Sequence, residues 1–329
     1  MDYGQLMIDL QGKELTSKEC QLLKNPGIGG VILYARNAQD IASLKRLVSE
    51  IRNEATHALL IAVDHEGGRV WQFFEGFKQI PSAAHFGQQY QINVEEALRS
   101  AEQAGFTMAS ELHAVGIDLS FAPVLDMDRG ISTIIGDRAF HSDPDSIVEL
   151  ATAFIKGMNA AGMQATGKHF PGHGAVAPDT HLEITLDARK YETLYAEDMV
   201  PFAKLIKKLG AIMPAHIIYS AVDTVPVGYS HRWLQEILRG TLKFTGAIIS
   251  DCLSMQGAAI GGDYVVRARL ALDAGCDMVM LCRQEREMIQ WVLDNLDRSA
   301  SKESQARLHA MSQLQAAAVE GAGQAKMMA

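Results

Sequence analysis

The sequence predicts an α/β protein built as a single (β/α)8 barrel of the TIM type. Eight short apolar runs of strand length recur along the 329 residues, and segments with helical periodicity separate most of them. Several of these runs end in charged or imidazole side chains, as strands do at the carboxyl rim where barrel enzymes carry their active sites. This many alternations fits a barrel better than a doubly wound sheet.

The apolar runs define the predicted strands. In chain order they are Leu6 to Leu10, Gly30 to Tyr34, Leu59 to Val63, Ile117 to Ala122, Met163 to Thr166, Ala211 to Met213, Ala247 to Ile249 and Asp277 to Leu281. The 3.6-residue periodicity between them predicts amphipathic helices. These are Ile41 to Asn53, Glu95 to Val115, Ser146 to Ala161, Ala196 to Lys208 and Tyr264 to Ala274.

The interior of the chain contains no recognisable linker, so we expect residues 1–298 to form one catalytic barrel. Residues 299–329 are expected to add a helical segment and a flexible, small-residue tail without forming a separate domain. The N-terminal residues lack the basic and long apolar regions of a secretory signal. No apolar run reaches the roughly 20 residues that a membrane helix needs.

Charge and cysteine content limit the partners and the compartment. The 39 acidic and 30 basic residues give a net charge of −9 without a Lys/Arg tract, so we expect neither nucleic acid nor membrane as a partner. The 4 cysteines form neither CxxC pairs nor a disulfide framework, which favours a reducing cytoplasm. We expect a monomer that acts on a small or sugar-like ligand, because no segment indicates an extra interface.

The segment from Lys168 to His181 holds the densest set of chemically capable side chains, with three histidines, one lysine and one aspartate. It follows an apolar stretch, so we expect Lys168 and His169 where a buried strand opens onto solvent. They offer donors to hydroxyl or carboxylate oxygens, although the lysine fits a structural ion pair equally well. Asp179 is close enough to His181 to orient the imidazole, although a solvated loop pair is the more ordinary interpretation.

Further candidates lie outside this segment. Asp251 is placed to act as a nucleophile, or instead to cap a helix or accept backbone N–H bonds. Asp64 has acceptor oxygens for two hydroxyls of a sugar, whereas Glu66 and Arg69 fit loop-stabilising roles. Arg138 presents a planar fork suited to a carboxylate or a sugar oxygen, and taken alone it more often forms a structural ion pair.

Together these residues resemble glycoside hydrolase family 3, and specifically its compact bacterial β-N-acetylhexosaminidases of cell-wall recycling. The resemblance runs through most of the chain and rests on motifs that occur in the same order. They are VDHEGGRV from Val63, FAPVLD from Phe121, GDRAF from Gly136, GKHFPGHG from Gly167, DTH from Asp179, MPAHIIYS from Met213 and SDCLSMQGAAI from Ser250. The resemblance implies one (β/α)8 barrel, without the second domain of many family members.

It also implies an enzyme, a retaining exo-β-N-acetylglucosaminidase that releases terminal N-acetylglucosamine from muropeptides through a covalent glycosyl-enzyme. Asp251 would be the nucleophile. His181, paired with Asp179 on a mobile loop, would be the general acid/base. The side chains that would bind the sugar are Asp64, Gln72, Arg138, Lys168 and His169. No cofactor and no metal ion are expected.

The sequence departs from its relatives at Gln72, where many carry a sugar-contacting arginine, and at Cys252, where a second aspartate usually follows the nucleophile. Thr180 stands in place of a more usual serine. Gln72 can still donate and accept hydrogen bonds. The departures therefore bear on affinity and leaving-group preference rather than on the reaction.

Two other hypotheses remain. A non-catalytic sugar-binding protein would keep the pocket without the chemistry, and the retention of all three catalytic residues argues against it. A metal-dependent barrel hydrolase would begin with an HxH pair in its first strand, which the first apolar run lacks. Its ligands would come from His169, His173, His181, His216 and Asp251.

Overall fold

The computed structural model describes residues 2–177, 180, 182–296 and 300–312. Eight parallel strands form one sheet. They are β1 (Leu6–Asp9), β2 (Ile28–Leu33), β3 (Leu60–Val63), β4 (Leu119–Ser120), β5 (Thr166–Phe170), β6 (Ala211–Pro214), β7 (Ala247–Cys252) and β8 (Met278–Leu281). Strands adjacent in sequence are neighbours in the sheet, and β1 pairs with β8 through Leu6 and Val279.

The remaining gap, between β4 and β5, is closed by the residues that follow β4. The backbone N–H of Thr166 donates to the carbonyl of Ala122 at 2.8 Å, and the N–H of Leu125 donates to the carbonyl of Lys168 at 2.7 Å. Val124 and Lys168 form a parallel bridge between these two bonds. The strands therefore make a complete ring, which confirms the predicted (β/α)8 barrel.

Helices surround this ring. They are α1 (Ser17–Leu23), α2 (Ile41–Glu54), α3 (Ala83–Ile92), α4 (Val94–Ala114), α5 (Pro144–Ala160), α6 (Tyr191–Ala196), α7 (Val200–Leu205), α8 (Tyr264–Ala274) and α9 (Arg286–Asn295). A π-helix spans Arg232–Thr241, and two short strands outside the barrel, Thr185–Asp187 and Ile217–Tyr219, pair in parallel. Short 3-10 helices span Ala35–Asn37, Gly136–Arg138, Val227–Tyr229 and Gln256–Gly261.

Side-chain caps fix where several helices begin. The carboxylates of Asp40, Asp143 and Asp263 accept a backbone N–H three residues later, at the starts of α2, α5 and α8.

Within the described ranges, no helix is long and apolar enough to cross a membrane.

Two predicted elements are wrong at their boundaries. Within the predicted helix from Ala196 to Lys208 the structure has only α7, because α6 ends at Ala196. Pro201 occupies the first turn of α7, where its missing N–H costs no helical bond. Strand β5 begins at Thr166, the residue at which we had expected it to end. Lys168 and His169 therefore lie inside the strand and are only 1% and 7% exposed, instead of opening onto solvent.

The core has two layers, because side chains alternate across each strand. In β1, Leu6 and Ile8 point outward and pack with the helices, while Met7 points into the barrel. Residues 302–312 are helical and place Leu308 and Met311 against the inner layer. Residues 313–329, to which the expectation of a flexible tail applies, lie outside the described part, and the division at residue 298 stays a prediction.

Helices α4 and α5 cross at two glycines. A Cβ on Gly105 would overlap the backbone oxygen of Phe154, and a Cβ on Gly157 would overlap that of Glu102. The two backbones therefore touch, and neither contact can be relieved by rotating a side chain.

Gly157→Ala is expected to destabilise the protein by about 1–3 kcal/mol, because overpacking outweighs the gain of about 0.5–1 kcal/mol that alanine brings to a helix. The measurement is the free energy of unfolding from urea denaturation. Gly12→Ala is the control, since a Cβ there meets nothing within 4 Å. Equal stability of the two variants would contradict the close crossing.

Candidate active site

A cavity of about 610 Å³ opens at the carboxyl ends of the strands. Every binding or catalytic residue proposed from the sequence and present in the described part lines it, namely Asp64, Gln72, Arg138, Lys168, His169 and Asp251. Asp179 and His181 lie outside the described residues. Thr180, which stands between them, also lines the cavity and is 2% exposed.

A cluster of four charged groups forms one wall of this cavity. The Lys168 ammonium contacts the carboxylates of Asp64 and Glu66, the second at 2.5 Å. The Arg138 guanidinium binds Glu66 through two parallel bonds, of 2.8 and 2.7 Å. The Lys168 and Glu66 side chains are 1% and 7% exposed, whereas that of Asp64 is 32% exposed. Asp64 is therefore the most exposed member of this charged cluster, and it lines the cavity together with Lys168 and Arg138.

The cluster controls the ionisation of its members. Burial alone would raise the pKa of Glu66, but Arg138 and Lys168 outweigh it and hold that pKa well below its usual range. Burial likewise disfavours the Lys168 cation, but Asp64 and Glu66 raise its pKa. Burial raises the pKa of Asp64 against the opposing charge of Lys168. Two cations thus balance two carboxylates in a nearly dry site.

Asp126 orients His169, and the sequence reasoning did not select it. Its carboxylate accepts a hydrogen bond from Nδ1 of His169 at 2.7 Å and from the backbone N–H of His173 at 2.7 Å. Burial opposes the charge, but these histidines lower the pKa of Asp126. With Nδ1 occupied, Nε2 is the His169 nitrogen that can meet a ligand. The signal was present, because Asp126 ends the FAPVLD motif that continues from a predicted apolar strand.

His173 and Thr180 connect the loop after β5 to the segment after β7. Nε2 of His173 lies 3.2 Å from Oγ1 of Thr180, and the N–H of Gly257 donates to the Thr180 carbonyl at 2.8 Å. Burial, aided by the nearby charge of His169, lowers the pKa of His173 to about 4. His173 is therefore neutral at pH 7 and serves as a fixed hydrogen-bonding group.

Asp251 lies near the end of β7 and is partly exposed to the cavity. One carboxylate oxygen accepts the N–H of Cys252 at 2.7 Å, so Asp251 does accept a backbone N–H bond, as one alternative predicted. It does not cap a helix, since the next helical turn begins after Met255. A carboxylate held by its own strand and facing the cavity has the placement that a nucleophile needs.

The two departures from the family pattern have structural consequences. Gln72 donates to the carbonyl of Asp64 at 3.1 Å and accepts the N–H of Ala35 at 3.1 Å, so its amide joins two rim loops and keeps only part of its capacity for a ligand. Sγ of Cys252 accepts the N–H of Cys282 at 3.3 Å and is 9% exposed. The thiol thus packs beside the nucleophile position without adding a second carboxylate.

Arg69 and Arg138 contribute to the same rim. Arg69 binds Asp137 at 2.7 Å and the carbonyl of Ile134 at 2.6 Å, which is the loop-stabilising role expected of it. Arg138 forms the ion pair with Glu66 that was one of its two interpretations, and its remaining N–H groups line the cavity.

The metal-dependent alternative requires several ligands around one point. In the ranges that the structure describes, no group of three or more His, Cys, Asp or Glu side chains is arranged to hold a metal ion. His181, one of the suggested ligands, is outside those ranges.

Comparison with known proteins agrees with this geometry. The family described as the glycosyl hydrolase family 3 N-terminal domain matches residues 3–314. A β-hexosaminidase of Tolumonas auensis is 50% identical over 307 residues, covering 93% of this chain and 90% of its own. One of Idiomarina loihiensis is 50% identical over 308 residues, covering 94% of this chain and 92% of its own.

Solved structures give the same assignment. NagZ from Neisseria gonorrhoeae in complex with N-trifluoroacetyl-D-glucosamine superposes with a TM-score of 0.90 at 42% identity, covering 95% of this chain and 91% of that one. A family 3 β-N-acetylglucosaminidase from a Paenibacillus species superposes with a TM-score of 0.88 at 28% identity, covering 95% and 61%. The chain therefore belongs to glycosyl hydrolase family 3 and is a glycoside hydrolase, similar throughout its barrel to β-hexosaminidases.

Proposed function

We propose that this protein is a retaining exo-β-N-acetylglucosaminidase that removes terminal N-acetylglucosamine from peptidoglycan fragments in cell-wall recycling. The observation that carries the proposal is the shared cavity of Asp251 and Asp64, in which the Asp251 carboxylate lies near the end of β7 and the Asp64 carboxylate is bound by Lys168. The first suits attack on carbon, and the second suits binding of hydroxyl groups.

The charged wall fits a neutral sugar. Asp64 can accept hydrogen bonds from hydroxyls with the oxygen that Lys168 leaves open, and Nε2 of His169 is left for another, because its Nδ1 is bound to Asp126. The unused N–H groups of Arg138 can donate. Because each group is already fixed by a buried partner, little reorganisation is needed when the sugar binds, and the anomeric carbon can be held against Asp251.

The proposed reaction has two steps. The Asp251 carboxylate attacks the anomeric carbon and forms a glycosyl ester, while the bond to the leaving oxygen breaks and His181 gives that oxygen its proton. Neutral His181 then takes a proton from water, the water oxygen attacks the anomeric carbon, and the ester bond breaks to regenerate Asp251. Two inversions retain the anomeric configuration. Asp179 would stabilise the His181 imidazolium.

The other histidines of the cavity are poorly suited to the acid/base role. His173 is buried and neutral at pH 7, so it has no proton to give as an imidazolium. His169 has Nδ1 committed to Asp126 on a buried strand. His181 follows Thr180, whose side chain reaches the same cavity as Asp251, and this supports its selection as the proton carrier.

The relatives support the choice of sugar. The Tolumonas and Idiomarina proteins are β-hexosaminidases, and the Neisseria NagZ binds an N-acylated glucosamine. The peptidoglycan leaving group follows from the motif resemblance. All four cysteines carry free thiols, in agreement with the reducing cytoplasm proposed as its location. A monomer remains our expectation.

Asp251→Ala is expected to lower kcat/KM on a chromogenic β-N-acetylglucosaminide by at least about 1,000-fold, because no glycosyl ester can form. Mass spectrometry with a fluorinated sugar should find a covalent adduct on wild type and none on the variant. Asp145→Asn, an exposed carboxylate on α5, is the control and should react normally. Equal rates for wild type and Asp251→Ala would exclude Asp251 as the nucleophile.

His181→Ala is expected to slow substrates with poor leaving groups by a much larger factor than substrates with good ones, since a good leaving group needs little protonation. The measurement is the dependence of kcat/KM on leaving-group pKa across a series of aryl glycosides. The slope should become steeper in the variant. A uniform loss across the series would assign His181 a structural role.

Stability should fall as pH drops below about 6.5, because His173 has a pKa of about 4 in the folded protein and about 6.5 when unfolded. Between these values the unfolded chain binds more protons, so the loss reaches roughly 3 kcal/mol by the lower pH. Urea denaturation across this range measures it. His173→Gln should flatten the slope, whereas exposed His85→Gln should not. Identical slopes for both variants would contradict the buried neutral state.

A further inference from the structure

Arg283 differs from the other lysine and arginine side chains that line the cavity. The others are held by carboxylates, in the pairs Arg69 with Asp137, Arg138 with Glu66, and Lys168 with Asp64. Arg283 follows Cys282, the first residue after β8. It is exposed and also lines the cavity. Among the residues that the structure describes, none pairs with its guanidinium, and only its backbone N–H is bonded.

The backbone of Arg283 is fixed in an unfavourable conformation. Its φ is +58°, in the left-handed region that glycine and asparagine occupy more easily than arginine. The N–H donates to Asp9 at 2.9 Å, and Asp9 is itself buried and bound by Arg286 at 3.2 Å and by Arg36 at 2.6 Å. The side chain therefore projects from a rigid anchor. A long cation at a position that favours a small residue indicates a use for its charge.

The balance of charge within the cavity indicates what that use is. The inner wall neutralises its cations with carboxylates and suits the uncharged sugar of the proposed reaction. An exposed and unpaired guanidinium instead matches a planar carboxylate, to which it can donate two parallel hydrogen bonds. Terminal N-acetylglucosamine carries no carboxylate, so the acid must belong to the leaving group.

We propose that Arg283 binds a carboxylate on the leaving group and so makes the enzyme select acidic aglycones. This inference rests on the proposed function. The carboxylate can come from the lactyl group of a muramyl unit or from a peptide attached to it. Gln72 is uncharged and its amide is largely committed to backbone groups, so Arg283 is the lining cation that has no carboxylate partner within the described part.

The test uses two nitrophenyl β-N-acetylglucosaminides that differ only in a carboxylate or a carboxamide on the ring. Arg283→Asn tolerates the left-handed backbone and removes the charge. Its kcat/KM ratio of acid to amide substrate is expected to fall about tenfold, mainly through KM, because a charge-assisted hydrogen bond is lost. Arg283→Lys should keep part of the ratio. Arg99→Asn, an exposed arginine on α4 paired with Glu96, is the matched control and should keep all of it.

The outcomes separate the two proposals. If wild type cleaves neither glycoside, the proposed function fails. If wild type cleaves both and Arg283→Asn leaves the ratio unchanged, only the role of Arg283 is overturned. Disaccharides of N-acetylglucosamine and anhydromuramic acid then identify the source of the carboxylate. A loss confined to the peptide-free disaccharide assigns the contact to the lactyl group, and a loss confined to the peptide-bearing form assigns it to the peptide.

Discussion

The site depends on one buried interaction, the contact of the Lys168 ammonium with the carboxylates of Asp64 and Glu66. An isolated ammonium inside the barrel would be strongly disfavoured by the loss of hydration, and so would either carboxylate. Together with Arg138 they form a neutral group whose members are satisfied by one another. Because buried Glu66 binds both Lys168 and Arg138, Asp64 remains exposed enough to bind a ligand. The buried charges of the rim are therefore stable only when all four groups are present.

The strand arrangement explains how residues so distant in sequence meet. Parallel strands carry their carboxyl ends to one rim, where Asp64 follows β3, Lys168 lies in β5 and Asp251 lies in β7. Supporting contacts are made one layer deeper, by Asp126 on His169 and by the backbone on Asp251. A rigid frame of this kind suits a reaction in which a sugar must be held while groups from separate strands act on one carbon.

The sequence was sufficient for the ring of strands and for several polar residues of the cavity, because apolar runs and the polar groups at their ends are local signals. It failed where the polar groups lie within the strand. Lys168 and His169 looked like the start of a loop because their burial depends on Glu66 and Asp126, partners that are remote in sequence. Asp126 was overlooked although it ends the FAPVLD motif, which begins directly after β4. The anchoring of Gln72 to backbone groups has no sequence signal, since it depends on how two loops approach.

The ring of strands closes at two seams between the halves of the chain, and both carry polar contacts. At one seam the carbonyl of Lys168 accepts the N–H of Leu125, and at the other the buried Asp9 at the end of β1 binds residues that follow β8. Neither half-barrel alone contains the charged cluster, because Asp64 and Lys168 come from opposite halves. Catalytic activity therefore requires that the ring of strands be completely closed. A folding intermediate with two separate half-barrels would show no activity, even if its helix content by circular dichroism were native.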